Sequence, residues 1–183
     1  DYLIKLNEKE TEKLSKNYKI KQFFKGKVSN VELNKYLIEL MKDKNQNFYY
    51  KDFFILNKNG KMESTTMKSA KDLDLSSRRY FKICKNTKKT VTSDILIAKS
   101  DQELILISLS PIFKDNKLIG FSGIAIKADY ISGFIENMAL GEKGYYIILD
   151  SKGRIISHPD KDKISTLFDN NKSDYKDRII ITR

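Results

Sequence analysis

Few residues in this chain have the type and spacing that catalysis needs. His158 is the only histidine, in His158-Pro159-Asp160, and a histidine after a strand serves to order the turn. Cys84 is the only cysteine, so no internal disulfide and no cysteine-based zinc site can form. It lies in the semi-apolar run Tyr80-Phe81-Lys82-Ile83-Cys84 and reads as a buried structural thiol. Gly120-Phe121-Ser122-Gly123 lies inside a strand pattern, whereas a nucleophile elbow needs a strand-to-helix turn. Asp169-Asn170-Asn171-Lys172-Ser173-Asp174 lacks the glycine and terminal glutamate of a calcium loop. No glycine-rich phosphate loop is present, and no cofactor is expected. An enzyme is therefore the last reading to reach for.

Charge points no further. The 183 residues carry a formal net charge of +11, but only five of the cations are arginines. The lysines are spread along the whole chain among acids, whereas nucleic-acid readers cluster arginine on one face. A solvated lysine surface follows, and no nucleic acid is expected as a partner. No apolar run approaches the length of about 18 residues that spans a bilayer. The chain starts at Asp1 and ends in Ile179-Ile180-Ile181-Thr182-Arg183, a strand-like run, so it reads as an excised piece of a longer protein.

The elements follow from periodicity. Residues 1–25 read as one long helix with a narrow apolar stripe of Leu3, Leu6, Leu14, Tyr18 and Phe24. Ser29-Asn30-Val31-Glu32 is a capping box, and Leu33, Tyr36, Leu37, Leu40 and Met41 continue it at helical spacing. Residues 48–56 read as a strand, Asn59-Gly60 as a turn and residues 61–67 as the return strand. Residues 68–75 read as loop, with Asp74 or Ser76 capping a short helix to about Lys85. Residues 91–93 suggest a short strand. Residues 103–113 and 117–127 form the clearest hairpin, apolar on nearly every position and so covered on both faces. Asp129 caps a helix to about Leu140. Phe53-Phe54-Ile55-Leu56-Asn57-Lys58-Asn59-Gly60-Lys61 is then echoed by Tyr146-Ile147-Ile148-Leu149-Asp150-Ser151-Lys152-Gly153-Arg154, a weak internal repeat that suggests two PAS-like units, the second incomplete.

Three segments carry a family resemblance. Asp74-Leu75-Ser76-Ser77-Arg78-Arg79-Tyr80-Phe81-Lys82 is similar to the segment of serine, arginine and aromatic residues that leads into a short helix in the double Cache family of extracellular sensors. The 105–113 and 118–126 strands resemble that family's hairpin. Residues 144–160 resemble the entry into its membrane-proximal unit. Together they cover about half the chain in the family's order. The resemblance implies an α+β fold: a long N-terminal helix, a PAS-like antiparallel five-stranded sheet, and a second, smaller unit. The implied division is 1–28 for the stalk helix, 29–140 for the membrane-distal ligand-binding unit and 141–183 for a partial membrane-proximal unit. It further implies an extracytoplasmic domain of a membrane-anchored receptor, a homodimer in the full-length protein, whose output is a chemoreceptor, histidine kinase or cyclic-dinucleotide enzyme.

In the amino-acid-binding members of that family an arginine two residues before an aromatic holds the ligand carboxylate, and Arg78 and Tyr80 match those positions, with Phe81 beside them. A guanidinium suits the task because its planar fork gives paired, charge-assisted hydrogen bonds. Two other roles stay open for Arg78: pairing with Asp72 or Asp74, or facing solvent. The remaining family positions fall on Leu73, on Leu96 within Asp94-Ile95-Leu96, and on Ala125, where those members place an acid for the ligand amine. The candidate ligand-binding set is thus Arg78, Tyr80, Phe81, Asp94, Leu96, Phe121 and Ala125, with no metal site. An apolar pocket with one guanidinium and no acid at Ala125 favours a small organic acid over an amino acid. The competing readings are a ligand-free module that docks a solute-binding protein and, more remotely, a nucleic-acid-binding domain.

Overall fold

The computed structural model describes residues 2–44, 49–128, 145, 147–149, 153–158, 160–164 and 166–168. The chain divides into two compact units, residues 1–127 and 128–183.

The first unit is an antiparallel sheet with helices on it. Helices α1 (Tyr2–Lys16), α2 (Tyr18–Phe23) and α3 (Asn30–Lys44) precede strands β1 (Tyr50–Asn57) and β2 (Met62–Thr65). A 3-10 turn at Lys68–Ala70, helix α4 (Arg79–Thr87) and the short strands β3 (Val91–Thr92) and β4 (Leu96–Ile97) lead into β5 (Leu104–Lys114) and β6 (Lys117–Lys127). The strand order is β2-β1-β6-β5-β3, with β4 also paired to β5. This is the expected α+β class, and the long hairpin falls where both arms are apolar. Its loop is Asp115 and Asn116 alone, with φ of 47° and 60°, since Lys114 pairs directly with Lys117. Two consecutive left-handed residues twist the loop to match the flanking strands, and Asp and Asn tolerate that conformation well.

The period of two in the strands separates the faces. Phe54 and Leu56 of β1, Ile105, Ile107 and Leu109 of β5, and Phe121 and Ala125 of β6 join one core cluster with Tyr80, Phe81 and Cys84 of α4. Gly123 lies on that face without a side chain because the Phe54 ring occupies its place: a Cβ there would meet the ring at 2.1 Å. The other face takes α1, which packs on β5 and β6.

The N-terminal helix departs from expectation in two ways. It breaks at Asn17, whose side chain accepts the Lys19 N–H at 2.9 Å and so caps α2. Its buried face is Asn7, Thr11, Leu14 and Ser15, whereas Tyr18 of the expected stripe is 76 % exposed. The reason lies on the sheet: Ser108, Ser110 and Ser122 are buried there, and Ser122 Oγ donates to the Thr11 carbonyl at 3.3 Å. Small residues on both partners let helix and sheet approach closely. Thr11 and Ser15 donate their hydroxyls back to the helix carbonyls of Asn7 and Glu12, so neither is buried unpaired.

Helix α3 begins with the expected capping box. Ser29 N–H donates to Glu32 Oε2 at 2.9 Å, and Glu32 N–H donates to Ser29 Oγ at 3.2 Å. One face of α3 then covers the sheet edge: Asn30 and Asn34 donate their side-chain amides to the Glu63 and Thr65 carbonyls of β2. An edge strand whose carbonyls are taken in this way is closed to further pairing.

Helix α4 starts later than expected, with Arg78 at the cap position and no side-chain cap bond. Asp74 instead accepts the Ser76 N–H at 2.7 Å and turns the chain before the helix. Cys84 is fully buried, and burial pushes its thiol up to about 12, which makes it inert near neutrality.

In the second unit, β7 (Ile148–Leu149) and β8 (Ile155–Ser157) form a two-stranded antiparallel sheet, followed by a 3-10 turn at Lys161–Lys163. His158 is buried, and its Nδ1 accepts the Asp160 N–H at 2.8 Å, so it orders the turn after β8. The helix expected from Asp129 and the closing run at 179–183 lie outside the described residues.

Candidate functional site

A cavity of ≈ 440 Å³, open mouth included, lies on the α4 side of the first sheet. Phe54, Ile105, Ile107 and Ala125 make its floor on β1, β5 and β6. Met67, Ala70, Leu73 and Leu75, in the segment between β2 and α4, make one wall; Leu96, Ala98, Lys99 and Ser100 make another. Arg78 and Tyr80 enter from the start of α4, and Lys51 and Asp52 from β1. The apolar lining, with a few polar groups converging, is of the kind that suits a small molecule.

Arg78 is held by one arm. Its Nη2 donates to the Ile97 carbonyl at 3.1 Å, which ties α4 to β4 across the cavity wall. Its Nε is buried and has no hydrogen-bond partner. Neither carboxylate considered from sequence pairs with it, since the ion pairs of the described residues all involve lysines. The Tyr80 hydroxyl is likewise buried and unpartnered, and burial drives its ionisation upward against the opposing effect of the Arg78 charge. Unpaired polar atoms are costly inside a protein, and both of these belong to residues that line the cavity.

Of the seven residues singled out by sequence, Arg78, Tyr80, Leu96 and Ala125 meet in the cavity. Phe81 and Phe121 do not line it. They pack edge to face with centroids 4.9 Å apart, in the core behind it. Phe81 follows Tyr80 by one position along the helix and packs into the core, and Phe121 shares the Ala125 face of β6 but lies four residues away along the strand. Asp94 is exposed and away from the lining.

Sequence reasoning missed Asp52. It is 4 % exposed and sits directly across the β1–β6 ladder from Ala125. Its carboxylate accepts the Thr65 hydroxyl at 2.7 and 2.9 Å, the Thr66 hydroxyl at 2.7 Å and the Thr66 N–H at 2.9 Å. Burial pushes it up to about 6, although these donors act in the opposite sense. The signal was present: Asp52, Phe54 and Leu56 share one parity in an apolar strand, which puts an aspartate on the core face. Lys51 beside it has a side chain only 5 % exposed and pairs with Asp101 at 2.6 Å and with Glu103. This ion pair and the bond from Lys99 Nζ to the Asp74 carbonyl, 2.9 Å, fasten the 98–103 segment at the cavity rim.

No helix among the described residues is long and apolar enough to cross a membrane. Over 89 residues the chain is 29% identical to the methyl-accepting chemotaxis protein PscA of Pseudomonas syringae pv. tomato, covering 49% of this chain but only 14% of that protein. Among solved structures it is similar to the ligand-binding domain of the Campylobacter jejuni chemoreceptor Tlp3 in complex with 4-methylisoleucine (18% identity, TM-score 0.67, 92% of this chain and 67% of that one). It is also similar to the extracellular domain of the putative histidine kinase mmHK1S-Z3 (18%, 0.66, 89% and 66%). The ligand-binding domain of the Pseudomonas aeruginosa PAO1 amino acid chemoreceptor PctB in complex with L-Gln matches over less of its length (20%, 0.52, 66% and 50%). At these identities the structural likenesses speak for the fold. The Cache domain family model matches residues 3–181, and the chain belongs to that family of ligand-binding sensor domains.

Proposed function

We propose that this chain is the extracytoplasmic sensing part of a membrane-anchored, homodimeric signalling receptor, and that the cavity of its first unit takes a small ligand bearing a carboxylate. The observation that carries the reading is the pair of buried, unsatisfied donors, Arg78 Nε and the Tyr80 hydroxyl, on two residues that line a mainly apolar cavity. A carboxylate oxygen accepts from both, and a guanidinium bond to it is charge-assisted. PscA, a chemotaxis protein, and the chemoreceptor and kinase domains named above support a sensory role for this domain. Ligand contacts on Arg78 reach β4 through the Ile97 carbonyl, so occupancy can shift the rim of the sheet and bias a two-state output.

A thermal-shift screen of small carboxylates tests this. A ligand at a hundredfold excess over its Kd adds about 2.7 kcal/mol, or roughly 5–10 °C for a chain of this size. Arg78→Ala should abolish the shift. A variant that still responds fully makes Arg78 a structural residue only.

A further inference from the structure

A second cavity of ≈ 480 Å³, open mouth included, lies on the opposite face of the first sheet, between α1 and α3. Helix α1 packs on β5 and β6, and α3 packs on β1 and β2, so a gap is left over the seam between β1 and β6. Phe53 and Ile124, partners across that seam, make the floor, and each is only 1 % exposed. Leu14 of α1 and Leu40 of α3 make the walls. Side chains span the gap at both ends. The Asn17 amide donates to the Tyr36 hydroxyl at 2.6 Å, and Lys44 Nζ donates to Glu10 Oε2. Roughly 10–12 Å of helix separates these two fastenings, at about 1.5 Å per residue.

The charges at the mouth do not balance. Glu10 takes one ammonium on each oxygen, Lys13 on Oε1 at 2.6 Å and Lys44 on Oε2. Burial opposes its ionisation, but the two lysines outweigh burial and hold the carboxyl below its usual range, so Glu10 is an anion at neutral pH. Each ammonium has three N–H groups and spends one on Glu10. The mouth therefore holds two cations, one anion and donors to spare above an apolar floor. We propose that this cavity is a second binding site, for a monoanion with an alkyl body such as a medium-chain carboxylate, its head between Lys13 and Lys44 and its chain on Phe53 and Ile124. A cationic ligand finds both oxygens of Glu10 already taken, and a dianion exceeds the single excess charge. The site shares no residue with the Arg78 cavity and stands whether or not that cavity takes a carboxylate. Consecutive residues serve the two: Phe53 and Ile124 face this one, Phe54 and Ala125 the other.

Hydrogen exchange on the whole chain, with hexanoate as the probe, locates the bound molecule. Hexanoate should slow exchange across residues 10–17 and 36–44. Hexylammonium and acetate, which lack the anion and the chain respectively, should not. Calorimetry then grades the mouth. Glu10→Gln removes the competing anion and should tighten hexanoate about three- to fivefold, the scale of one partly exposed charge pair, although it breaks both ion pairs and lowers Tm. A purely structural cluster would give the loss of stability without the gain in affinity. Lys44→Gln should weaken hexanoate by a similar factor, and Lys13→Gln, at a more exposed position, repeats the measurement. Protection confined to residues 78–82 and 96–100 would put hexanoate at Arg78 alone and overturn the site. So would no protection in millimolar hexanoate, equal protection by hexylammonium, or unchanged or weaker binding by Glu10→Gln.

Discussion

The two units contain the same piece of backbone with different contents. In the first, Ile55 pairs with Ser64 and Leu56 with Met62, with a register shift between the two strand residues. In the second, at a constant offset along the chain, Ile148 pairs with Ser157 and Leu149 with Ile155, with the shift at the same place. The bridge from Lys61 to Asp74 recurs from Arg154 to Leu167. The bond from Met62 N–H to the Leu73 carbonyl recurs from Ile155 to Thr166, and that from Leu75 to Gly60 recurs from Phe168 to Gly153. Even the 3-10 turns correspond, Lys68–Ala70 and Lys161–Lys163. The weak repeat in the sequence is thus a repeat of pairing, bulge and return. The contents differ at the mouth of the hairpin. Where the first unit buries Asp52 against the Thr65 hydroxyl, the second sets the Tyr145 ring edge-on to His158, centroids 5.4 Å apart. One scaffold carries a buried carboxyl in one copy and an aromatic pair in the other. The polar chemistry is therefore a property of the side chains placed on the hairpin and not of the hairpin itself.

The largest expected effect sharpens that contrast through pH. Asp52 moves from an ordinary 3.8 to about 6 because of burial. The folded state then holds a proton that the unfolded state has already lost. Its contribution to stability is present in full below the unfolded value and is lost as pH rises through about 6. A shift of this size corresponds to on the order of 3 kcal/mol. Urea unfolding between pH 4 and 7.5 should show a declining stability that Asp52→Asn largely flattens, with Asp52→Asn the more stable protein at pH 7.5. A profile that is the same in both proteins would mean that Asp52 is not the buried acid described. A group that costs stability at neutral pH and lines a cavity is what a binding role would preserve.

The sequence made the frame legible and left the site half read. The 103–127 hairpin stood out because both arms are apolar, and the start of α3 because a capping box is a local hydrogen-bond pattern confined to Ser29–Glu32. The break at Asn17 did not, because Leu14 and Tyr18 keep helical spacing straight across it. Met67, Ala70, Leu73 and Leu75 form a cavity wall from an irregular segment, where no period says which side chains face inward. Arg78 and Tyr80 came from a motif, but a motif carries only the positions it records. Asp52 lay outside it and is depleted by type from strands, so the eye follows the aromatic run around it.

The smallest expected effect compares the two glycines that close the repeated turn. Gly60 and Gly153 occupy equivalent positions with φ of +92° and +75°, so any side chain at either is strained. The strain alone costs about 1 kcal/mol in alanine. Space separates them. A Cβ at Gly60 would meet the Phe81 ring and the Ser76 backbone at 2.9 Å, whereas nothing lies within 4 Å of one at Gly153. The Phe81 ring packs on Phe121 and the Ser76 atoms are main chain, so neither yields freely. Overpacking of this kind adds about 1–3 kcal/mol. Gly60→Ala should therefore lower the melting temperature by several degrees more than Gly153→Ala. Equal losses would show that the turn geometry alone sets the cost, and that the core of the first unit does not press on its hairpin in the way the close contact at Gly60 requires.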